Sequence, residues 1–214
     1  ISCQCPIPAT FEHFYRMVWE QRATVVAMLA QLGPGGQDTF KCSRYWPLVE
    51  EAQEVHGEFT VTNKAVTKIG DFAVATTLCI ALKDEPRTHD VVHVRYLAWP
   101  DFGVPDESGS LMAMLKHVNA AHERERANHT SFLGELQAAA AGLSSGEVIA
   151  VSGATLPVEM VGEPSTLDVP VVVHCSAGVG RSGAFIAIAA LLAKPDGVDR
   201  AALKAVVEQM REAK

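Results

Sequence analysis

The sequence predicts an α/β fold, a single domain with a mixed β-sheet. Three observations carry that expectation. Strand-like and helix-like segments alternate along the chain with no repeat and no linker. Residues 57–97 are rich in Val, Thr, Ile and Phe and are broken by turn-forming stretches, which reads as an antiparallel meander. The run "VPVVV", 169–173, has no polar position at all, so it reads as a fully buried strand.

Taken in order, "PATFEHFYRMVWEQ" spaces Phe11, Phe14, Tyr15, Val18 and Trp19 along one helical face behind Thr10, a residue type suited to an N-cap. "ATVVAML" follows as a short buried strand. The meander is expected to break at "TNK", "KIGD" and "KDEPRTHD". "WPDFGVPDES", with two prolines and a glycine, must be a loop. Leu111, Met114, Leu115 and Val118 then mark a second amphipathic helix running toward Arg126. Residues 127–168 are rich in Ala, Gly and Ser and are expected to form a surface insertion with some strand. "SGAFIAIAALLA" reads as a buried helix and "ALKAVVEQM" as a third amphipathic one.

The chain has 214 residues, 48% of them hydrophobic and 20% charged, enough for one substantial core. A net charge of -7 argues against nucleic acid or an anionic membrane surface as the main partner, so any anion site must be local. The five cysteines are odd in number and irregularly spaced, and they read as reduced thiols of a reducing compartment, hence a cytoplasmic location. No run approaches the roughly 18 apolar residues a membrane helix needs. The chain opens "ISCQCP" without a methionine or a leader-like segment and is expected to begin inside a longer protein.

The chemistry is concentrated in "VVVHCSAGVGRSGAF", 171–185. A buried strand running straight into a helix near Ser182 leaves residues 174–181 as a loop at the strand's carboxyl end, aimed at a helix N-terminus. Unpartnered N–H groups and the helix dipole favour an anion there. Gly178 and Gly180 let the backbone of Ser176, Ala177, Gly178, Val179 and Gly180 turn its N–H groups inward and let a ligand approach. Arg181 adds a planar fork that can grip two phosphate oxygens. The same field favours the thiolate of Cys175, so it is expected to be a nucleophile toward phosphorus. Ser182 could donate to the sulfur when it leaves, and His174 is expected to orient the cysteine rather than act as a base. Of the five cysteines only Cys175 has an arginine six positions on. That spacing alone is weak, and its strand, glycines and helix give it weight.

The ester oxygen departs poorly from phosphorus unless it is protonated, which demands an acid outside the loop. "WPDFGVP" offers Asp101, between Pro100 and Phe102, with Trp99 bulky enough to serve as a buried pivot for a moving segment. By itself an Asp in a proline turn is ordinary.

These residues resemble the cysteine-dependent protein tyrosine phosphatases. "HCSAGVGRSG" matches the family's active-site signature, "WPDFGVP" its mobile acid loop, and "TFEHFYRMVWEQ" with "KCSRYWP" its helix and the following strand approach. The resemblance spans most of 1–125 and 169–193. It implies a highly twisted mixed sheet flanked by helices, a catalytic domain over 1–214 with an insertion at about 127–168, and a role in signal transduction. It makes Cys175 the nucleophile, Arg181 the phosphate ligand, Asp101 the general acid and then base, Ser182 the assistant to thiolate departure and Trp99 the hinge. Lys41 resembles the lysine that meets the closed acid loop, Phe102 joins the substrate-binding set, and Gln4 is retained beside the loop.

Departures accompany it. The family's upstream asparagine-arginine-tyrosine segment and its late water-positioning glutamine are not in this chain. Cys5 replaces a usual glycine, and Asp38 is the available substitute for a glutamate before Lys41. The implied function is hydrolysis of phosphotyrosine in proteins by a monomer without metal or cofactor. Two other readings remain: a phosphotyrosine-binding pseudophosphatase, and a phosphatase acting also on phosphoserine, phosphothreonine or phosphoinositide. A metal site on Cys3, Cys5 and His13 lacks a second ligand pair. The Phe11, Tyr15 and Trp19 stripe reads as core, and "HERER" as a solvated helix end.

Overall fold

The structure is a computed structural model that describes residues 1–33, 37–39, 42–100, 103, 105, 108–141, 144, 148–151, 154–157, 169–193, 201, 204, 205 and 208. Its strands are β1 (Ser2–Gln4), β2 (Val25–Met28), β3 (Gln53–His56), β4 (Phe59–Ile69), β5 (Ala73–Leu82), β6 (Thr88–Tyr96), β7 (Val148–Val151), β8 (Ala154–Pro157) and β9 (Val171–Cys175). The helices are α1 (Phe11–Glu20), α2 (Ser108–Ala140) and α3 (Gly180–Leu192). Seven strands form one sheet in the order β1-β9-β2-β6-β5-β4-β3. β1, β9, β2 and β6 are parallel neighbours, while β6, β5, β4 and β3 form the antiparallel meander. The fold is therefore the single mixed α/β domain expected.

The apolar runs follow from burial on both faces. In β2, Val26 and Met28 enter a core with Phe14, Tyr15 and Trp19 of α1, while Val25 and Ala27 enter a second core with Met114, Leu115 and Phe185. Successive side chains of a strand point to opposite faces, so a sheet covered by helices on both sides needs apolar residues at every position. β9 obeys the same rule. Val172 and His174 lie on the α1 side, Val173 and Cys175 on the side of α2 and α3.

Several elements depart from expectation. "TNK" does not end a strand: β4 runs through it with a register shift between Asn63 and Ala65, a bulge that absorbs the polar interruption. Thr10 does not cap α1 with its side chain. Its hydroxyl instead donates to Ile7 O at 3.1 Å, closing a 3-10 turn over Pro8–Thr10. The second helix does not stop near Arg126 but continues to Ala140, about 50 Å of helix at 1.5 Å per residue. Its buried stripe, Leu111, Met114, Leu115, Val118 and Ala121, ends early. Beyond it the helix runs through the charged residues 123–126, where Arg126 pairs with Glu123 at 2.8 Å, and on to Ala138, Ala139 and Ala140 in the region read as surface insertion. The strand expected there is the antiparallel β7–β8 pair.

The cysteines require a further correction. Cys5 and Cys42, with Cα atoms 5.4 Å apart, form a disulfide, so the chain does not hold five reduced thiols. Cys5 lies just beyond β1 and Cys42 in a single bridge with Thr39, and both are buried in the α1-side core. The sequence could not give that juxtaposition across a separation of 37 residues. The cysteine argument for a reducing compartment falls with it. Cys5 is also unavailable to the metal trio considered above. Among the described residues, no helix is long and apolar enough to cross a membrane.

Candidate active site

β9 delivers Cys175 to the carboxyl edge of the sheet, and α3 begins at Gly180, two residues earlier than the sequence suggested. Between them the backbone wraps around the sulfur. Gly178 has φ +72°, and a Cβ there would lie 2.3 Å from the Cys3 carbonyl oxygen, so only glycine fits. Gly180 is different: its φ is not positive, and a Cβ would meet nothing within 4 Å. Its lack of a side chain leaves space on the open side of the loop, where Ala177, Val179 and Gly180 are exposed above the buried Cys175.

The Ser182 hydroxyl and the backbone N–H groups of Ser182, Gly178 and Val179 act on the Cys175 thiol from the surrounding loop, although Ser182 Oγ, fully buried beside it, makes no hydrogen bond of ordinary geometry. Burial pushes the Cys175 thiol up, but these donors outweigh it and bring the thiol below its ordinary value. The other free cysteines go the opposite way. Burial pushes Cys3 up to about 11. Burial also raises Cys79, with Asp90 adding to it. Cys175 alone of the three is built to carry charge. Arg181 extends across the loop, its Nη2 donating to Ser176 Oγ at 2.9 Å.

His174 is fully buried on the opposite face, and burial lowers it to about 4, so it is neutral near pH 7. Its Nδ1 faces the Cys175 carbonyl at 3.4 Å and its Nε2 faces Tyr45 Oη at 2.6 Å. A carbonyl can only accept, so the hydrogen-bond pattern puts the proton on Nδ1. Nε2 then accepts from the tyrosine, whose oxygen accepts in turn from His93 Nε2 at 2.9 Å. Burial holds His93 well below its usual range as well. Tyr15 Oη donates to Tyr45 O at 2.5 Å and fixes the backbone from which this hydroxyl reaches.

Gln4 pairs in register with Cys175, and the N–H of Cys5 donates to Ser176 O at 3.0 Å. Trp99 is buried against Tyr96, its Nε1 donating to Gly103 O at 3.3 Å across the acid segment, while Gln31 Nε2 donates to Trp99 O at 3.3 Å. Asp101, Phe102 and Lys41 lie outside the described residues. Asp38 Oδ1 accepts from the Arg44 N–H at 2.7 Å, bracing the "KCSRYWP" segment.

The structure thus gathers Cys175, Ser176, Ala177, Gly178, Val179, Gly180, Arg181, Ser182, His174 and Gln4 at one place. Sequence reading missed Tyr45 and His93 as supports of that place. Their signal was a polar atom on residues that had to be buried, Tyr45 within "KCSRYWP" and His93 within the β6 run.

Comparison with known proteins places this site in context. The sequence matches the protein-tyrosine phosphatase family over residues 1–139 and 147–214. It is 33% identical over 211 residues to tyrosine-protein phosphatase non-receptor type 9 of Homo sapiens, covering 99% of this chain and 30% of that protein. With receptor-type tyrosine-protein phosphatase C of Homo sapiens it shares 30% identity over 192 residues, 90% of this chain and 11% of that protein. Tyrosine-protein phosphatase 3 of Dictyostelium discoideum is 31% identical over 194 residues, 91% of this chain and 16% of that protein. The chain therefore spans under a third of the length of these relatives. Because the match takes in nearly every residue, including the whole cysteine loop, the chain belongs to the protein-tyrosine phosphatase family.

Proposed function

We propose that this chain hydrolyses phosphotyrosine in proteins through a cysteinyl-phosphate intermediate. The observation that carries the reading is the buried Cys175 at the end of β9, enclosed by the loop that leads into α3, with Arg181 held across that loop by Ser176 and the thiol brought below its ordinary value by Ser182 and the loop N–H groups. A thiolate held in that way attacks a phosphoryl group in line. The S–P bond forms as the P–O bond to the tyrosine breaks, and Asp101 supplies the proton that lets the phenol depart. The loop N–H groups of residues 176–181 and the Arg181 fork hold the three equatorial oxygens, where charge develops.

In the second step a water attacks phosphorus. Asp101, now a carboxylate, takes the water's proton, the S–P bond breaks toward sulfur, and inorganic phosphate leaves. The Ser182 hydroxyl, which lowers the Cys175 thiol, stabilises the returning thiolate. His174, neutral and held by Tyr45, orients Cys175 and takes no proton. Trp99 anchors the acid segment, Phe102 and Lys41 are assigned to substrate binding, and Gln4 lies beside the loop. The reaction needs no metal and no cofactor. The enzyme acts as a monomer on phosphotyrosine-containing proteins in signal transduction.

The test is turnover of phosphotyrosine and phosphoserine peptides by the full-length protein, with chelator present throughout. We expect phosphate release from phosphotyrosine alone, and loss of at least a hundredfold in Asp101→Ala with phosphopeptide still bound. Binding without turnover in the wild type makes the chain a phosphotyrosine-binding module and rejects the reading. Equal turnover of phosphoserine rejects the specificity.

A further inference from the structure

We propose that Ser2 is a positioning residue for Cys175, its hydroxyl fixing the orientation of the peptide between Gly178 and Val179 so that the Val179 N–H points at the sulfur. The inference rests on Cys175 being the nucleophile.

Ser2 Oγ donates to the Gly178 carbonyl at 2.9 Å. In a trans peptide the C=O and the following N–H point to opposite sides of one plane. A carbonyl held toward β1 therefore turns the Val179 N–H the other way, toward Cys175, whose thiol it lowers. Gly178 is at φ +72°, where an added Cβ would meet the Cys3 carbonyl, and its lack of a side chain makes the neighbouring peptide plane free to rotate unless something holds it. Ser2 supplies the hold. The same logic repeats two residues earlier, where the Cys5 N–H holds the Ser176 carbonyl at 3.0 Å and turns the Ala177 N–H away from β1. β1 is paired with β9 from Ser2 to Gln4, so the brace is tied to the strand that carries the nucleophile. Backbone supplies one brace and any residue could make it. The other depends on a hydroxyl, which makes it testable. Among the described residues, the titratable or charged groups around the thiol are Cys3 on β1, His174 on β9 and Arg181 at the start of α3.

The experiment compares Ser2→Thr with Ser2→Val in the full-length protein. The two side chains share a shape and strand preference and differ in the hydroxyl. The readouts are the pH midpoint of Cys175 alkylation by iodoacetamide, located by peptide mapping, the acid limb of kcat/KM, and the melting temperature. We expect Thr to keep the wild-type midpoint. Val should raise it by about half a unit, a roughly threefold loss of thiolate below the midpoint, with the acid limb moving by the same amount. A purely structural role for Ser2 would lower the melting temperature of Val and leave the midpoint alone, and that result overturns the proposal. So does a midpoint that shifts equally in both variants. A wild-type midpoint at the ordinary thiol value of about 8.5 instead overturns the nucleophile reading on which this rests.

Discussion

Tyr45 Oη lies 2.6 Å from Nε2 of His174 and joins the residue before the cysteine to a segment 129 positions away in sequence. The same oxygen meets His93 at 2.9 Å, so one hydroxyl satisfies two buried imidazoles on neighbouring parts of the sheet. Replacing Tyr45 with Phe keeps the ring contacts with Phe14 and Trp46 and removes both bonds. We expect a loss of about 2–4 kcal/mol in urea unfolding, since two buried ring nitrogens lose their partner. We also expect a fall in kcat with little change in KM, because His174 no longer fixes the Cys175 carbonyl. An unchanged unfolding midpoint would show that the network carries no weight.

The two histidines also set an acid limit on stability. Each is held below its unfolded value of about 6.5, so the unfolded chain takes up protons that the native one refuses. The stability this gives is complete above about 6.5 and is lost as pH falls toward the folded value, about 4 for His174. At pH 5 His174 alone should cost about 2 kcal/mol relative to pH 7. Urea midpoints measured across this range should fall with pH, and a flat profile from pH 7 to pH 4.5 would refute the assignment of both rings as neutral.

Of the groups that lower the Cys175 thiol, the Ser182 hydroxyl acts most strongly and is the one side chain among them. Ser182→Ala should therefore raise the thiol midpoint and slow breakdown of the cysteinyl phosphate more than its formation. The expected signature with a nitrophenyl phosphate substrate is a burst of phenol followed by a steady rate reduced at least tenfold. Absence of a burst together with a normal steady rate would remove Ser182 from the second step.

Legibility in the sequence followed the range of the interactions involved. The buried strands and the cysteine loop were readable because their causes are local: an all-apolar run, two glycines, and a helix start within ten residues of each other. The Tyr45 network was not, since nothing near Tyr45 announces that two histidines converge on it. The disulfide was hidden for the same reason. The length of α2 was missed on a different ground. The stretch from residue 127, which has no apolar stripe, was read as a surface insertion with some strand, although a helix once nucleated by packing extends at little cost per residue.

Gly178 and Gly180 were read alike in sequence and differ in the structure. Gly178→Ala should be severe, because its φ of +72° strains any other residue and the added carbon would meet the Cys3 carbonyl. A cost of roughly 2–4 kcal/mol and loss of the low thiol midpoint are expected. Gly180→Ala should fold with wild-type stability, since a methyl there meets open space at the start of a helix. Phosphate or vanadate titration would then report whether that space is used by the ligand. Equal stability of the two variants would contradict the difference in backbone.

The Cys5–Cys42 bond closes a loop of 37 residues that contains α1 and β2, and it ties the segment after β1 to the "KCSRYWP" segment. Cys5 also carries the N–H that holds Ser176, so both ends of the bond adjoin supports of the catalytic loop. Thiol titration of the unfolded protein should find three reactive cysteines before reduction and five after it. On a chain-entropy model, Cys5→Ser should lower stability by about 4 kcal/mol under oxidising conditions. In the presence of a thiol reductant the same substitution should have a much smaller effect, because the wild type then lacks the bond as well. Five reactive thiols in the unreduced protein would refute the pairing and return the cysteines to the reduced state that their spacing suggested.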